Sequence, residues 1–150
     1  MVLVAQNERG VCAILLGDDP RRLERELAAC FPDALLRQAD SGLLEKVVSF
    51  IERPGGALDL ALDMQGSEFE RRVWRALQDI PAGSTVAYGE LAARVGAPGA
   101  AKEVGEACAA NRLAVAIPCH RVVRKDGGLA GYRWGVRRKR ALLELEKGQP

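Results

Sequence analysis

The chain has one histidine, His120, in 150 residues, and few aromatic side chains: three Phe, two Trp and two Tyr. Its four cysteines, Cys12, Cys30, Cys108 and Cys119, are far apart and none forms a CxxC pair. One histidine and scattered thiols make a poor zinc ligand set, so no metal site is expected, and a disulfide framework is equally unsupported. Reduced thiols in a reducing compartment are the simplest reading. Also missing are an apolar run long enough to span a bilayer and the basic-then-apolar order of a signal peptide. A cytoplasmic protein without membrane association is therefore expected. What is present, 48% apolar residues with moderate charge, is the make-up of an ordinary globular protein of one or two small domains.

The net charge of +2 hides a division along the chain. Residues 1–70 carry 7 Lys and Arg against 13 Asp and Glu, whereas residues 71–150 carry 15 against 7. A basic second half fits a polyanionic partner, and a solvated surface with local bias fits it equally well.

Val2 to Ala5 and Val11 to Leu16 are short apolar runs separated by Asn7 to Gly10, which reads as a hairpin. Asp19-Pro20 opens a helix with Leu23, Leu27 and Cys30 at helical spacing, closed by Pro32. A second helix runs from Ser41 with Leu44, Val47, Val48 and Ile51 on one side, and Pro54-Gly55-Gly56 ends it. Leu58, Leu60 and Leu62 then alternate with Asp59, Ala61 and Asp63 like a half-buried strand. The pattern changes at Met64. Ser67 and Glu70 form a capping box, and Phe69, Val73, Leu77 and Ile80 give a helical stripe ending at Pro81. The expected architecture is α/β: a small N-terminal α/β domain over 1–63, then a mostly helical C-terminal domain over 64–150.

In the second part, helices from Tyr88 to Val95 and from Pro98 to about Asn111 are joined by Gly96-Ala97, the length and turn chemistry of a helix-turn-helix. Many helical hairpins share that pattern and bind nothing. The second helix carries Ala100, Ala101, Gly105, Ala107, Ala109 and Ala110. Such a surface suits close approach to a groove wall or close packing on another helix.

After Leu113 to Ile117 comes Pro118-Cys119-His120-Arg121-Val122-Val123, where the single histidine adjoins a cysteine. A thiol becomes a strong nucleophile when a base or a positive charge stabilises the thiolate, and His120 is the one imidazole available. For an isolated Cys-His pair, a buried structural cysteine with a chance neighbour would be the better reading.

The wider stretch changes that balance. Pro118 to Val123 resembles the PCHRV signature of the methylated-DNA:protein-cysteine methyltransferases, the O6-alkylguanine-DNA alkyltransferase family. Gln65-Gly66-Ser67, Phe69, Val73-Trp74, Tyr88, Asn111, Gly131-Tyr132-Arg133-Trp134-Gly135 and Leu142-Leu143 follow in family order. Within the family the chain is similar to the C-terminal half of the bacterial adaptive-response regulator, which carries a further zinc-bearing domain.

The resemblance implies irreversible, single-turnover transfer of the alkyl group from O6-alkylguanine in DNA, with O4-alkylthymine as a second candidate substrate, to Cys119. It implies that His120 relays the thiol proton through a water to a carboxylate at Glu146, that Asn111 braces the turn ahead of the acceptor, and that the Tyr88 hydroxyl donates to the leaving guanine. For Glu146 a solvated helix end, for Asn111 a local helix stop, and for Tyr88 a core position are the bland alternatives. The loop from Gly127 to Trp134 would wall the alkyl pocket, with Tyr132 against the base. Lys102, Ala101 and Gly105 on the recognition helix, and Arg121, Val122 and Arg133 beyond it, fall on the substrate and DNA side. The partner implied is double-stranded DNA with a flipped lesion, bound through the minor groove by a monomer in the bacterial cytosol or nucleoid.

Four positions on the recognition helix depart from the family pattern. Lys102 replaces the arginine that fills the gap left by the flipped base, and lysine lacks the planar guanidinium. Glu103 and Glu106 make the helix acidic beside phosphates, and Gly99 stands where lysine is frequent. Compensation is expected from residues 121–140, with eight cations (Arg121, Arg124, Lys125, Arg133, Arg137, Arg138, Lys139, Arg140) against Asp126. Ion pairs to the acidic first half are the competing use. Two other activities stay open on the residues: an alkylated-DNA sensor without efficient transfer, and a thiol hydrolase built on Cys119 and His120.

Overall fold

The computed structural model describes residues 1–37, 42–129 and 131–147. Strands β1 (Val2–Asn7) and β2 (Gly10–Leu16) form an antiparallel hairpin. β2 is buried along its whole middle. β1 takes one edge. Leu62 and Leu113 form isolated parallel bridges to Val11 and Ile14 on β2. Four backbone hydrogen bonds make those bridges: Val11 N–H to the Ala61 carbonyl and Asp63 N–H to the Val11 carbonyl, both 2.8 Å, then Ile14 N–H to the Arg112 carbonyl at 2.8 Å and Ala114 N–H to the Ile14 carbonyl at 3.0 Å.

This arrangement corrects the strand expected over 58–63. Leu58, Leu60 and Leu62 do pack against the core, so the alternation has its expected cause. Only Leu62 joins a bridge, however, because residues 112–114 occupy the stretch of β2 beside Ile14. The pattern reported burial on one side and not a ladder.

Helix α1 (Pro20–Cys30) starts where Asp19 accepts from the Arg21 N–H and proline sits at the first helical position. Helix α2 (Leu43–Glu52) begins after Gly42; the expected start at Ser41 lies outside the described residues. Its buried side is Val47 flanked by Leu43, Phe50 and Ile51, whereas Leu44, expected inside, is 49% exposed. Helix α3 (Glu68–Gln78) has the full reciprocal capping box between Ser67 and Glu70. Just before it, a Cβ on Gly66 would lie 2.5 Å from the Trp74 ring, so only glycine lets the chain cross that ring.

Strand β3 (Val86–Ala87) leads directly into α4 (Tyr88–Arg94), then α5 (Ala101–Ala109), a 3-10 turn over Cys119–Arg121, β4 (Val122–Val123) parallel to β3, and α6 (Val136–Lys147). Helix α5 starts three residues later than Pro98 because Gly96 and Gly99 both have positive φ, 78° and 88°, which ends one helix and delays the next. One buried cluster runs through the chain, from Val11 and Ile14 through Val73, Leu77 and Leu91 to Ile117 and Leu142. No described helix is long and apolar enough to cross a membrane.

Candidate active site

The site grows from a chain reversal after α5. The Ala116 N–H bonds the Ala114 carbonyl at 2.7 Å around Val115, whose φ of 68° is rare for a β-branched residue. The chain then turns through Pro118 into the Cys119–Arg121 turn, with the Cys119 N–H on the Ile117 carbonyl at 2.8 Å. Asn111 holds this reversal from within: its Oδ1 accepts from the Leu113 N–H at 2.9 Å, and its Nδ2 donates to the Ile117 carbonyl at 3.0 Å and to the Cys119 Sγ at 3.3 Å.

Cys119 is 4% exposed. Burial pushes its thiol above the ordinary value, and the Asn111 N–H, the Lys139 ammonium and the Arg133 guanidinium pull it partly back. At rest the sulfur keeps its proton, in surroundings prepared for its loss. His120 is fully buried, and its Nε2 lies 2.8 Å from Glu146 Oε2. That contact is direct, which corrects the water-mediated step to the carboxylate. Nδ1 has no hydrogen-bond partner among the described residues. Glu146, 3% exposed on α6, also receives Arg121 from both sides: Nε to Oε1 at 2.9 Å and Nη2 to Oε2 at 2.8 Å.

Burial raises the Glu146 carboxyl, but the hydrogen bonds and charges of His120 and Arg121 outweigh it and leave the group at about 2, against 4.5 ordinarily. A carboxyl depressed by folding contributes stability above pH 4.5 that is lost as pH falls toward 2. His120 is lowered from 6.5, first by burial, so protonating it below that pH also costs stability. Both act in one direction. The thermal midpoint is expected to fall as pH drops below 6.5, most steeply between 4.5 and 2. Glu146→Gln, less stable at neutral pH, should give a flatter curve across that acid range in melts followed by circular dichroism. Parallel curves for the two proteins would refute the assignment.

Tyr88, at the start of α4, is half-buried over Gly105. Burial, then Cys108 and Cys119, hold its hydroxyl at about 12. Tyr132 stands edge-on to His120 at 6.5 Å and to Trp134 at 5.3 Å, with its hydroxyl buried. The structure therefore brings Cys119, His120, Glu146, Asn111, Tyr88 and Tyr132 into one neighbourhood. In the loop expected to wall it, Ala130 lies outside the described residues.

Other expected contacts lie elsewhere. Val122 is fully buried in β4, so it is core and not a surface for DNA. Arg121 is committed to Glu146. Arg133 pairs with Glu26 and Arg138 with Asp18, both in the acidic first half, at 3.2 and 2.8 Å. The ion-pair use of these cations is the one the structure contains. Lys102 is exposed on α5, with Ala101 and Gly105 half-buried beside it. Arg124, Lys125, Arg137 and Arg140 are exposed as well.

Lys139, expected among the cations that meet DNA, is fully buried, with no hydrogen-bond partner for Nζ among the described residues. The signal for it was in the sequence: 139, 142 and 146 share one face of α6, the face carrying Leu142 and Glu146.

Residues 68–148 match the family described as 6-O-methylguanine DNA methyltransferase, DNA binding domain. The regulatory protein ada of Salmonella typhimurium is 52% identical over 147 residues, 96% of this chain and 42% of that protein. The methylated-DNA--protein-cysteine methyltransferase of Mycolicibacterium paratuberculosis is 48% identical over 110 residues, covering 73% of this chain and 67% of that one. The crystal structure of Mycobacterium tuberculosis OGT in complex with DNA superimposes with a TM-score of 0.73 at 34% identity, over 97% of this chain and 86% of that one.

Proposed function

From the premise that this chain belongs to the 6-O-methylguanine DNA methyltransferase family, we propose that it repairs alkylated DNA by direct reversal, with Cys119 as acceptor. The observation that carries the reading is the buried Cys119 thiol bonded by Asn111, in a turn whose next residue, His120, is hydrogen-bonded to the Arg121-held Glu146.

The lesion atom lies inside the duplex, so the nucleotide is rotated out before the sulfur reaches it. The thiol proton passes to His120, which Glu146 stabilises as imidazolium. The sulfur forms a bond to the alkyl carbon, the carbon–O6 bond breaks, and its electron pair goes to the guanine. Tyr88, whose high pKa keeps it protonated, donates to the purine as charge develops. In balance, the thiol proton ends on guanine and a thioether stays on the protein. A thioether has no ready leaving path, so each molecule acts once, without metal or organic cofactor.

DNA binding is assigned to residues 64–150, with α4 and α5 as a helix-turn-helix that enters the minor groove, and 1–63 supports that domain. The protein works as a monomer in the cytosol. Lys102 takes the gap left by the flipped base, and the exposed Arg124, Lys125, Arg137 and Arg140 meet phosphate. Glu103 and Glu106 weaken that attraction.

Intact-protein mass spectrometry and peptide mapping, after incubation with duplex DNA containing O6-methylguanine, test the reading. One methyl per protein, on Cys119, is expected. A methyl on another residue, or no mass change despite preferential binding of the lesion, would overturn it, the latter in favour of a sensor. Ester hydrolysis beyond one equivalent would favour a thiol hydrolase.

A further inference from the structure

Arg133 comes from the most basic stretch of the chain, yet its guanidinium faces inward. Nε reaches Glu26 Oε1 at 3.2 Å and Nη2 lies 3.4 Å from Cys30 Sγ, both on α1. Nη1 donates to the Asn111 carbonyl at 2.9 Å, and the guanidinium carbon lies 5.5 Å from the centre of the Trp134 ring. The side chain is 21% exposed, so water reaches it, but its fork is engaged on three protein groups. Three of its five N–H donors, one on each nitrogen, are thus taken by protein groups, which leaves the guanidinium less to offer a phosphate.

Asn111 is the residue whose side chain fixes the turn and donates to the acceptor thiol. Its backbone and side chain are thus held by different parts of the molecule: the carbonyl by Arg133, the amide by the turn. Through Glu26, that hold is anchored in the N-terminal unit. We infer that Arg133 is a positioning residue for methyl transfer, setting Asn111 against Cys119 from an anchor on α1, and not a DNA contact. The inference rests on the reading of Cys119 as alkyl acceptor. It also gives residues 1–63 a part in the chemistry, since α1 supplies the anchor. Arg133 adds positive charge near the sulfur as well, in keeping with its lowering effect on the thiol.

The test measures methyl transfer from a methylated duplex with protein in saturating excess, so that the first-order rate is separated from affinity, which is read by fluorescence anisotropy. Arg133→Gln should lower the saturated rate about tenfold, as expected for a displacement well under an ångström. Its pH–rate midpoint should move toward alkaline, and duplex affinity should hold. Arg133→Lys restores charge but not the three-way geometry, so the pH midpoint should return while the rate stays low. Glu26→Gln should slow transfer in the same direction, less strongly, with affinity unchanged.

Weakened affinity at full saturated rate in Arg133→Gln would overturn the inference and make the residue a DNA contact. Slower transfer with an unmoved pH midpoint in all three variants would overturn it in favour of a scaffold role. If Arg133→Gln shows no cooperative melt, Glu26→Gln decides, and a full rate there overturns the inference. Wild-type protein that takes up no methyl would overturn the functional reading and this inference with it. Normal wild-type transfer beside a full-rate Arg133→Gln would overturn this inference alone.

Discussion

Cys119→Ala takes up no methyl group from a duplex containing O6-methylguanine and binds that duplex as well as the unmodified protein does. The loss is complete because no neighbour can take over. Cys108 is close by, but burial, the largest cause, holds its thiol above the ordinary value, and that cause stays when Cys119 is gone. At neutral pH such a thiol stays protonated, and a thiol is a poor nucleophile. The His120 ring is buried and tied to Glu146, and burial likewise pushes the Cys12 thiol up. The fold should survive, since one small buried side chain replaces another at a cost of about 1 kcal/mol. Rapid-quench transfer and anisotropy measured together check both halves. A slow residual uptake mapped to Cys108 would show that the site is looser than its burial indicates. Loss of binding along with transfer would mean that the sulfur takes part in holding the lesion.

The elements that were legible in the sequence are those specified within a few residues. Asp19-Pro20 starts α1 because a carboxylate acceptor and a preset φ act across one turn. Ser67 and Glu70 cap α3 by bonding each other's backbone. The Cys119 turn was legible through its motif and through the scarcity of histidine, which left His120 without a rival. Distant partners were not legible. The alternation at Leu58, Leu60 and Leu62 could not show that residues 112–114 lie along the edge of β2. Helix α5 does not start at Pro98, as its sequence suggests, because a positive φ at Gly99 resets the helix. Most of all, a run of cations reads as a surface until its counter-charges are located, and those of Arg121, Arg133 and Arg138 lie 25, 107 and 120 residues away. Charge counts along a chain describe attraction to a partner only after internal pairs are removed.

Lys139 is the sharpest case, and Lys139→Met is expected to slow methyl transfer about a hundredfold while making the protein harder to unfold. Its ammonium is fully buried without a hydrogen-bond partner among the described residues. Burial, the largest influence, lowers its pKa from 10.5, while negative charge on the Cys119 and Cys108 sulfurs, once they ionise, acts to raise it. A lysine lowered by folding destabilises the fold below its folded value, and that burden lifts as pH rises toward 10.5. Methionine fills much the same volume without a charge to desolvate, so about 1 to 4 kcal/mol of stability should return. The same charge opposes the rise that burial imposes on the Cys119 thiol. A fixed cation facing a developing anion in a dry site is worth roughly a hundredfold in rate. Urea unfolding at neutral and alkaline pH should show the stability gap between the two proteins closing as pH rises, and single-turnover kinetics should show the rate loss shrinking over the same range, as hydroxide replaces what the ammonium supplied. A variant that is more stable and equally fast would leave Lys139 as a burial cost with no return in chemistry. One that is slow and less stable would mean that the ammonium holds the fold through contacts the charge argument does not include.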